Sequence, residues 1–374
     1  MAGIYIHIPY CKQACHYCDF HFSVKQETKT AFVNSLVSEI SLQKNYLGGE
    51  KVETVYFGGG TPSLLSEAEL RKIFETLHQH FEIETNAEIT LEANPDDLTK
   101  EKISSLKSTE INRFSIGIQS FFDHHLKWMN RAHHAQEAED CIKRAQDAGF
   151  VNITIDLIYG LPDLTDEEWE QNLATSFALG IRHLSCYSLT VEPRTALAHF
   201  ISTGKSRKLN DEQAARHFEM LMQRMKEQGW LHYEISNFAT EEKFISQHNS
   251  AYWKGKKYLG LGPSAHSFNG TSRQWNARNN HLYIDSLEKG VIPFEKEDLT
   301  KIQRINERIM TELRTMWGLP ISDFGFSISN LLSAKSRPFI NEKLLETKND
   351  SLVLTDKGKL IADKIVLDLM LDED

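Results

Sequence analysis

The sequence predicts an α/β protein: a six-unit (β/α) part-barrel, an additional irregular segment, and a small C-terminal helical or winged-helix-like module. Three observations lead there. Strand-like and helix-like stretches alternate six times over roughly the first 230 residues. The strand stretches are apolar on both faces, as in parallel sheets covered by helices. Several of them end in glycines or isolated polar residues, where a series of right-handed βαβ crossovers collects ligand chemistry.

Residues 4–8 read as the first strand, closed by Pro9, and 28–46 carry apolar residues at helical spacing. Val52 to Phe57 is the next strand; Ser66 with Glu69 forms a capping box for a helix to about residue 80. Strands follow at 87–94, 113–119, 151–159 and 182–189. Helices fall between them at 99–107, 121–128 with 134–148, and 166–179. A further helix spans 211–228. Residues 231–290 are rich in Asn, Gly, Tyr and Trp with weak periodicity, which suggests an irregular sheet or loop layer on the barrel. From Asp298 a helical pattern resumes, and the Leu354-Thr-Asp-Lys-Gly358 turn after a short strand resembles the wing of a winged helix. The expected domains are therefore 1–230, 231–295 and 296–374.

Composition narrows the class. The 374 residues are 40% hydrophobic and 25% charged, ordinary for a globular chain. A net charge of −10 argues against broad nucleic-acid binding, which needs a basic face. No apolar run reaches the ~18 residues of a membrane span. The first residues lack the pattern of a signal peptide, so a cytoplasmic location is expected. Five cysteines without a paired spacing suit metal ligation in a reducing compartment better than a disulfide framework.

Three of the five stand together, Cys11-x₃-Cys15-x₂-Cys18, after the first strand. The spacing fits no single helix face, so a loop wrapping a compact object is expected. Zinc sites usually close a tetrahedron from two ligand pairs. Three thiolates instead suit a [4Fe–4S] cluster with one iron open to an outside ligand. The bland alternatives are zinc or chance burial. Cys141 and Cys186 read as small core residues. One unit later Gly58-Gly59-Gly60-Thr61-Pro62 ends a strand, where glycines would let backbone approach a ligand and free N–H groups for it; a plain strand-to-helix turn would look the same. Glu92, Gln119, Arg131 and Asp156 lie at or near successive strand ends. A carboxylate inside a stretch as apolar as Ile-Thr-Ile-Asp156-Leu-Ile needs a partner or a ligand. Each alone is equally well a structural hydrogen bond or a salt bridge.

Taken together, Tyr5-Ile-His-Ile-Pro-Tyr-Cys11, the triple glycine, Glu92-Ala-Asn-Pro, Ser-Ile-Gly-Ile-Gln119 and Asp156-Leu-Ile-Tyr-Gly-Leu-Pro resemble the radical S-adenosylmethionine (SAM) superfamily. Within it they resemble the branch holding oxygen-independent coproporphyrinogen III oxidase and the HemW heme chaperones. The resemblance covers about residues 4–290 well and the tail less well. It implies that Cys11, Cys15 and Cys18 ligate the cluster and that Tyr5, Gly59, Gly60, Thr61 and Glu92 line a SAM site. Tyr17, Gln119, Arg131 and Asp156 match positions that contact SAM or a second SAM in the oxidase. The oxidase pattern adds a fourth cysteine after Cys-x, where this chain has Phe20, and it carries an N-terminal extension before the cysteines. Both departures, and the run His248-Asn-Ser-Ala-Tyr252-Trp253, match the HemW type. His248 is then a candidate axial heme ligand, with His266 the weaker one; the bland reading is a turn-capping histidine packed among aromatics.

The resemblance implies a protein that binds the cluster, SAM and heme and delivers heme to recipient hemoproteins, without coproporphyrinogen oxidase activity. That oxidase activity is the alternative. Cleavage of SAM to methionine and a 5′-deoxyadenosyl radical belongs to the superfamily; whether this chain turns SAM over, forms a homodimer or touches a membrane surface stays open at this level.

Overall fold

The computed structural model describes residues 2–372. Six parallel strands run side by side in chain order: β1 (Ala2–Ile8), β2 (Val52–Gly59), β3 (Ile83–Ala93), β4 (Arg113–Gln119), β5 (Asn152–Tyr159) and β6 (His183–Ser188). Helices α1 (Lys29–Leu42), α2 (Glu67–His80), α3 (Lys100–Lys107), α4 (Asp123–Trp128), α5 (Ala135–Asp147) and α6 (Asp166–Ala178) make the crossovers. Ser66 and Thr165 start α2 and α6 with complete capping boxes, and Thr99 caps α3 through Lys102 N–H. The sheet does not close on itself, so the part-barrel expected from the sequence is what forms.

After β6 come α7 (Ala196–Ser202) and α8 (Asp211–Glu227), then the stretch expected to be an irregular layer. It is instead a continuation of the same sheet, split between its two edges. β7 (Leu231–Glu234) and β8 (Asn237–Ala239) form a hairpin that adds antiparallel to β6. The chain then crosses through α9 (Gln247–Trp253), and β9 (Tyr258–Leu261) joins the opposite edge parallel to β1. β10 (His266–Phe268), β11 (Ser272–Asn276) and β12 (Phe294–Asp298) extend that edge antiparallel, with α10 (Asn280–Leu287) packed on α1. The result is a twelve-stranded sheet with β1 in its interior. A buried carboxylate anchors this edge: Glu39 of α1 accepts hydrogen bonds from Gly262 N–H at 2.7 Å, from the Asn276 amide at 2.5 Å and from the Tyr283 hydroxyl at 2.5 Å. Three donors on one carboxylate offset much of its desolvation.

The tail has its own apolar core around Ile309, Leu313, Leu332, Leu352 and Ile365. It comprises α11 (Lys301–Glu312), β13 (Leu319–Pro320), α12 (Phe326–Asn341), β14 (Leu345–Lys348), β15 (Ser351–Leu354), α13 (Asp356–Lys359) and α14 (Ala362–Leu369). Three strands with flanking helices match the winged-helix expectation, but the wing lies elsewhere than expected. Its tip is Asn349-Asp350, both at positive φ between β14 and β15, while Thr355 caps α13 through Gly358 N–H.

Candidate functional site

The C-terminal ends of the parallel strands surround a cavity of about 690 Å³. Its walls include Cys11, Cys15, Tyr17 and Cys18 from the loop after β1, Gly59, Gly60 and Thr61 after β2, and Glu92 of β3. Gln119 of β4, Arg131 and Asp156 of β5 complete the set. Eleven of the twelve residues expected to hold the cluster and SAM thus come together in one place. Tyr5 does not line this cavity. It sits below, inside the barrel, with its hydroxyl 3.0 Å from His7 Nδ1 and its ring stacked on Tyr56.

The cysteine loop is irregular, so other elements hold its shape. Ser23 closes its base: Cys11 N–H donates to Ser23 O and Ser23 N–H to Pro9 O. Lys12 pairs with Asp96 at 2.8 Å and with Asp97. The far side docks on the end of α4. The Gln13 amide donates to Asn130 O at 3.0 Å, the Asn130 amide to Ala14 O at 2.7 Å, and His16 N–H to Met129 O at 3.1 Å. Leu197 N–H at α7 donates to His16 O. The Asn130 clamp was not foreseen from the sequence. Asn130 sits at φ 59°, a conformation in which asparagine is enriched among non-glycine residues.

Burial pushes the Cys11 thiol up to about 11 and the Cys18 thiol up to about 12. A bound metal ion reverses that preference, since a coordinating thiol is deprotonated. Arg131 donates to Cys15 Sγ at 3.3 Å, to Asn94 Oδ1 at 2.7 Å and to Gly117 O at 2.8 Å, and its buried Nε has no partner.

Deeper in the cavity stand two carboxylates. Glu92 accepts from the Tyr56 hydroxyl at 2.8 Å and from Gly59 N–H at 3.1 Å. Burial raises it to about 7, with the Asp156 charge adding to the rise. Asp156 is raised to about 6, again by burial, against the lowering effect of Ser185 and nearby arginines. Ser115 donates to it at 3.5 Å. Gln119 ends β4 at φ 67°, a conformation costly for a non-glycine residue and found where a site dictates the backbone.

The glycine loop behaves differently from expectation. Its N–H groups are not free: Gly59 N–H goes to Glu92, Gly60 N–H to Ile8 O at 2.8 Å, and Thr61 N–H to Tyr10 O at 2.7 Å. Glycine is required because the cysteine loop lies against it. A Cβ on Gly60 would stand 2.6 Å from Tyr10 O, and one on Gly59 2.5 Å from the His7 ring.

His248 lies away from the cavity, in the core. It is 2% exposed, inside the barrel on α9, stacked on Tyr56 at 4.9 Å. Both ring nitrogens are engaged, Nδ1 with Thr54 Oγ1 at 2.7 Å and Nε2 with the Tyr252 hydroxyl at 2.8 Å. Burial pushes its pKa down to about 3. In this conformation the ring is a core residue and offers no free nitrogen to a heme iron. His266 is exposed and stacks on Trp275, outside both the cavity and this layer.

Comparison with known proteins gives the family. The radical SAM superfamily profile matches residues 5–175, and the HemN C-terminal domain profile matches 299–361. The heme chaperone HemW of Bacillus subtilis is 33% identical over 372 residues, covering 98% of each chain. HemW of Escherichia coli is 36% identical over 267 residues, covering 71% of this chain and 69% of its own. The structure of coproporphyrinogen III oxidase from Escherichia coli superposes with a TM-score of 0.84 at 22% identity, covering 99% of this chain and 90% of the other. That likeness establishes the shared fold; the full-length sequence similarity goes further, and the chain belongs to the HemW family of the radical SAM superfamily.

Proposed function

We propose that this protein is a heme chaperone that carries a [4Fe–4S] cluster and SAM at the cavity and heme at a separate cleft. The observation that carries the first half is the convergence of three thiols, the Glu92 and Asp156 carboxylates and Arg131 on a single cavity. Cys11, Cys15 and Cys18 would hold the cluster, leaving one iron without a protein ligand. Arg131, with its unpartnered Nε, suits the SAM carboxylate. Glu92 and Asp156 suit hydroxyls and positive charge, and the carbonyl oxygens around Gly59 suit an ammonium group, which only donates. A bound cluster with SAM would supply one-electron chemistry.

For heme, a second cleft of about 590 Å³ is lined by Tyr252, Trp253, Tyr258, Phe268, Arg273, Arg304, Arg308 and Met310. It contains the last two residues of the His248–Trp253 run, so the run contributes its aromatics in place of its histidine. Flat aromatic walls suit a macrocycle. Arg304, which has no carboxylate partner among the described residues, suits a propionate. Met310 offers a thioether, a ligand that heme iron accepts.

The test is anaerobic cluster reconstitution, followed on one sample by heme titration and a coproporphyrinogen assay. A Soret band that saturates near one heme per chain, without protoporphyrinogen formation, is expected. Met310→Leu should shift that band or weaken binding. Protoporphyrinogen production would establish the oxidase reading instead.

A further inference from the structure

On the outer side of the barrel, away from the cavity, α4 and α6 bring together His124, His125 and Glu168. One ligand atom from each lies within 4.8 Å of the other two. His124 Nε2 is 3.2 Å from Glu168 Oε1, and His125 Nε2 is 3.7 Å from Glu168 Oε2.

His125 is the unusual member. It is 3% exposed, and its Nε2 is buried without a hydrogen-bond partner of proper geometry, although the Asp163 carbonyl lies close. A buried imidazole nitrogen without a well-formed hydrogen bond, facing a carboxylate, is costly unless something joins them. Its other nitrogen is fixed, with Nδ1 3.2 Å from Ser120 Oγ. A metal-bound histidine commonly has its second nitrogen held this way, which sets the tautomer and leaves Nε2 to coordinate. Glu168 is held too, because its Oε2 accepts Thr165 N–H at 3.1 Å in the α6 capping box.

We propose that His124, His125 and Glu168 form a site for a divalent first-row metal of the zinc class, which locks α4 against α6. Two imidazoles and one carboxylate are borderline donors of the kind zinc takes, with a fourth position for water. Ligands of a four-coordinate zinc stand about 3.3 Å apart. Closing the cluster therefore needs a small inward swing, and His124, 57% exposed, is free to make it.

The place gives the site a consequence. The last turn of α4 and the two residues after it, Trp128 to Asn130, carry the hydrogen bonds that hold the cysteine loop. Ser120, the residue His125 grips, directly follows the cavity wall Gln119. An ion at the start of α4 would stiffen the support on which the loop rests.

The experiment uses the full chain with its cluster reconstituted, so that the loop cysteines are engaged. Zinc is titrated against a competing chromophoric chelator, for the parent, His124→Ala, Glu168→Gln and the control His134→Ala. Glutamine keeps the capping box, and His124 is exposed, so both variants should fold. The expected result is one tight equivalent for the parent and the control, weakened about tenfold or more in both variants. Cobalt in place of zinc should show no thiolate charge-transfer band. Zinc should also raise hydrogen-exchange protection over residues 124–131 in the parent. Equal zinc affinity in parent and variants, or only weak multi-site binding by the parent, would overturn the site. Binding with unchanged protection over 124–131 would overturn its locking role.

Discussion

Cys15 touches Arg131, whereas Cys141 is buried in α5 and donates only to Ala138 O. Cys15→Ser should therefore remove most cluster absorbance after reconstitution, while Cys141→Ser keeps it; equal iron loss in both would break the ligand assignment. Asp156 carries a conflict of a different kind. Its pKa is raised to about 6, so the folded state prefers the proton, and the stability linked to that proton is present at acid pH and lost as pH rises through about 6. Asp156→Asn should then raise the melting temperature at pH 8, by roughly 1–2 kcal/mol of stability, while weakening SAM binding. A variant that binds SAM as well as the parent in calorimetry would take Asp156 out of the site. These residues were legible in the sequence because a cysteine triplet and a charge inside an apolar strand are both hard to explain as packing. The roles of Asn130, Asn94 and Ser115 were not, since a lone polar residue near a turn has many uses.

At the level of elements, the six β/α units could be read because each depends on local signals: period, cap and turn. The edge strands could not, because β7 to β12 are three to five residues long and join the sheet through β8 on β6 and β9 on β1, partners far away in the chain. The wing tip had a readable sign in Asn349-Asp350, a pair suited to two successive positive φ values. In α9, His248 had two readings in the sequence, and its burial favours the packing one. Its imidazole ties α9 to β2 through Thr54 and stacks on Tyr56. His248→Ala should cost roughly 2–4 kcal/mol, from the lost packing and from Thr54 and Tyr252 left without that partner. Chemical denaturation measures this; unchanged stability with a lost Soret band would return His248 to the heme.

For the whole molecule, buried neutral histidines set the response to acid. His7 and His133 are pushed down to about 4, His232 and His248 to about 3, and His183 well below its usual range, in each case chiefly by burial. A histidine depressed in the folded state contributes stability above the unfolded value near 6.5, and that contribution drains away as pH falls toward the folded value. Glu92 and Asp156, raised to about 7 and about 6, act in the opposite sense over part of the same range, but the histidines are more numerous and their shifts larger. The melting temperature should fall steadily between pH 6.5 and pH 4. A flat profile there would mean that these histidines keep their protons in the folded state.

The place of β1 bears on how the protein is made. Its neighbour on one side, β2, follows within about fifty residues, but its neighbour on the other, β9, pairs Gly3 with Tyr258. At a synthesis rate of about 5–20 residues per second, the ribosome delivers that second partner roughly 15–50 s after the first strand. Throughout that interval the nascent cysteines hang from a strand with one flank bare. Iron–sulfur delivery that waits for release of the finished polypeptide would meet a seated loop. Delivery during translation would meet a half-built one.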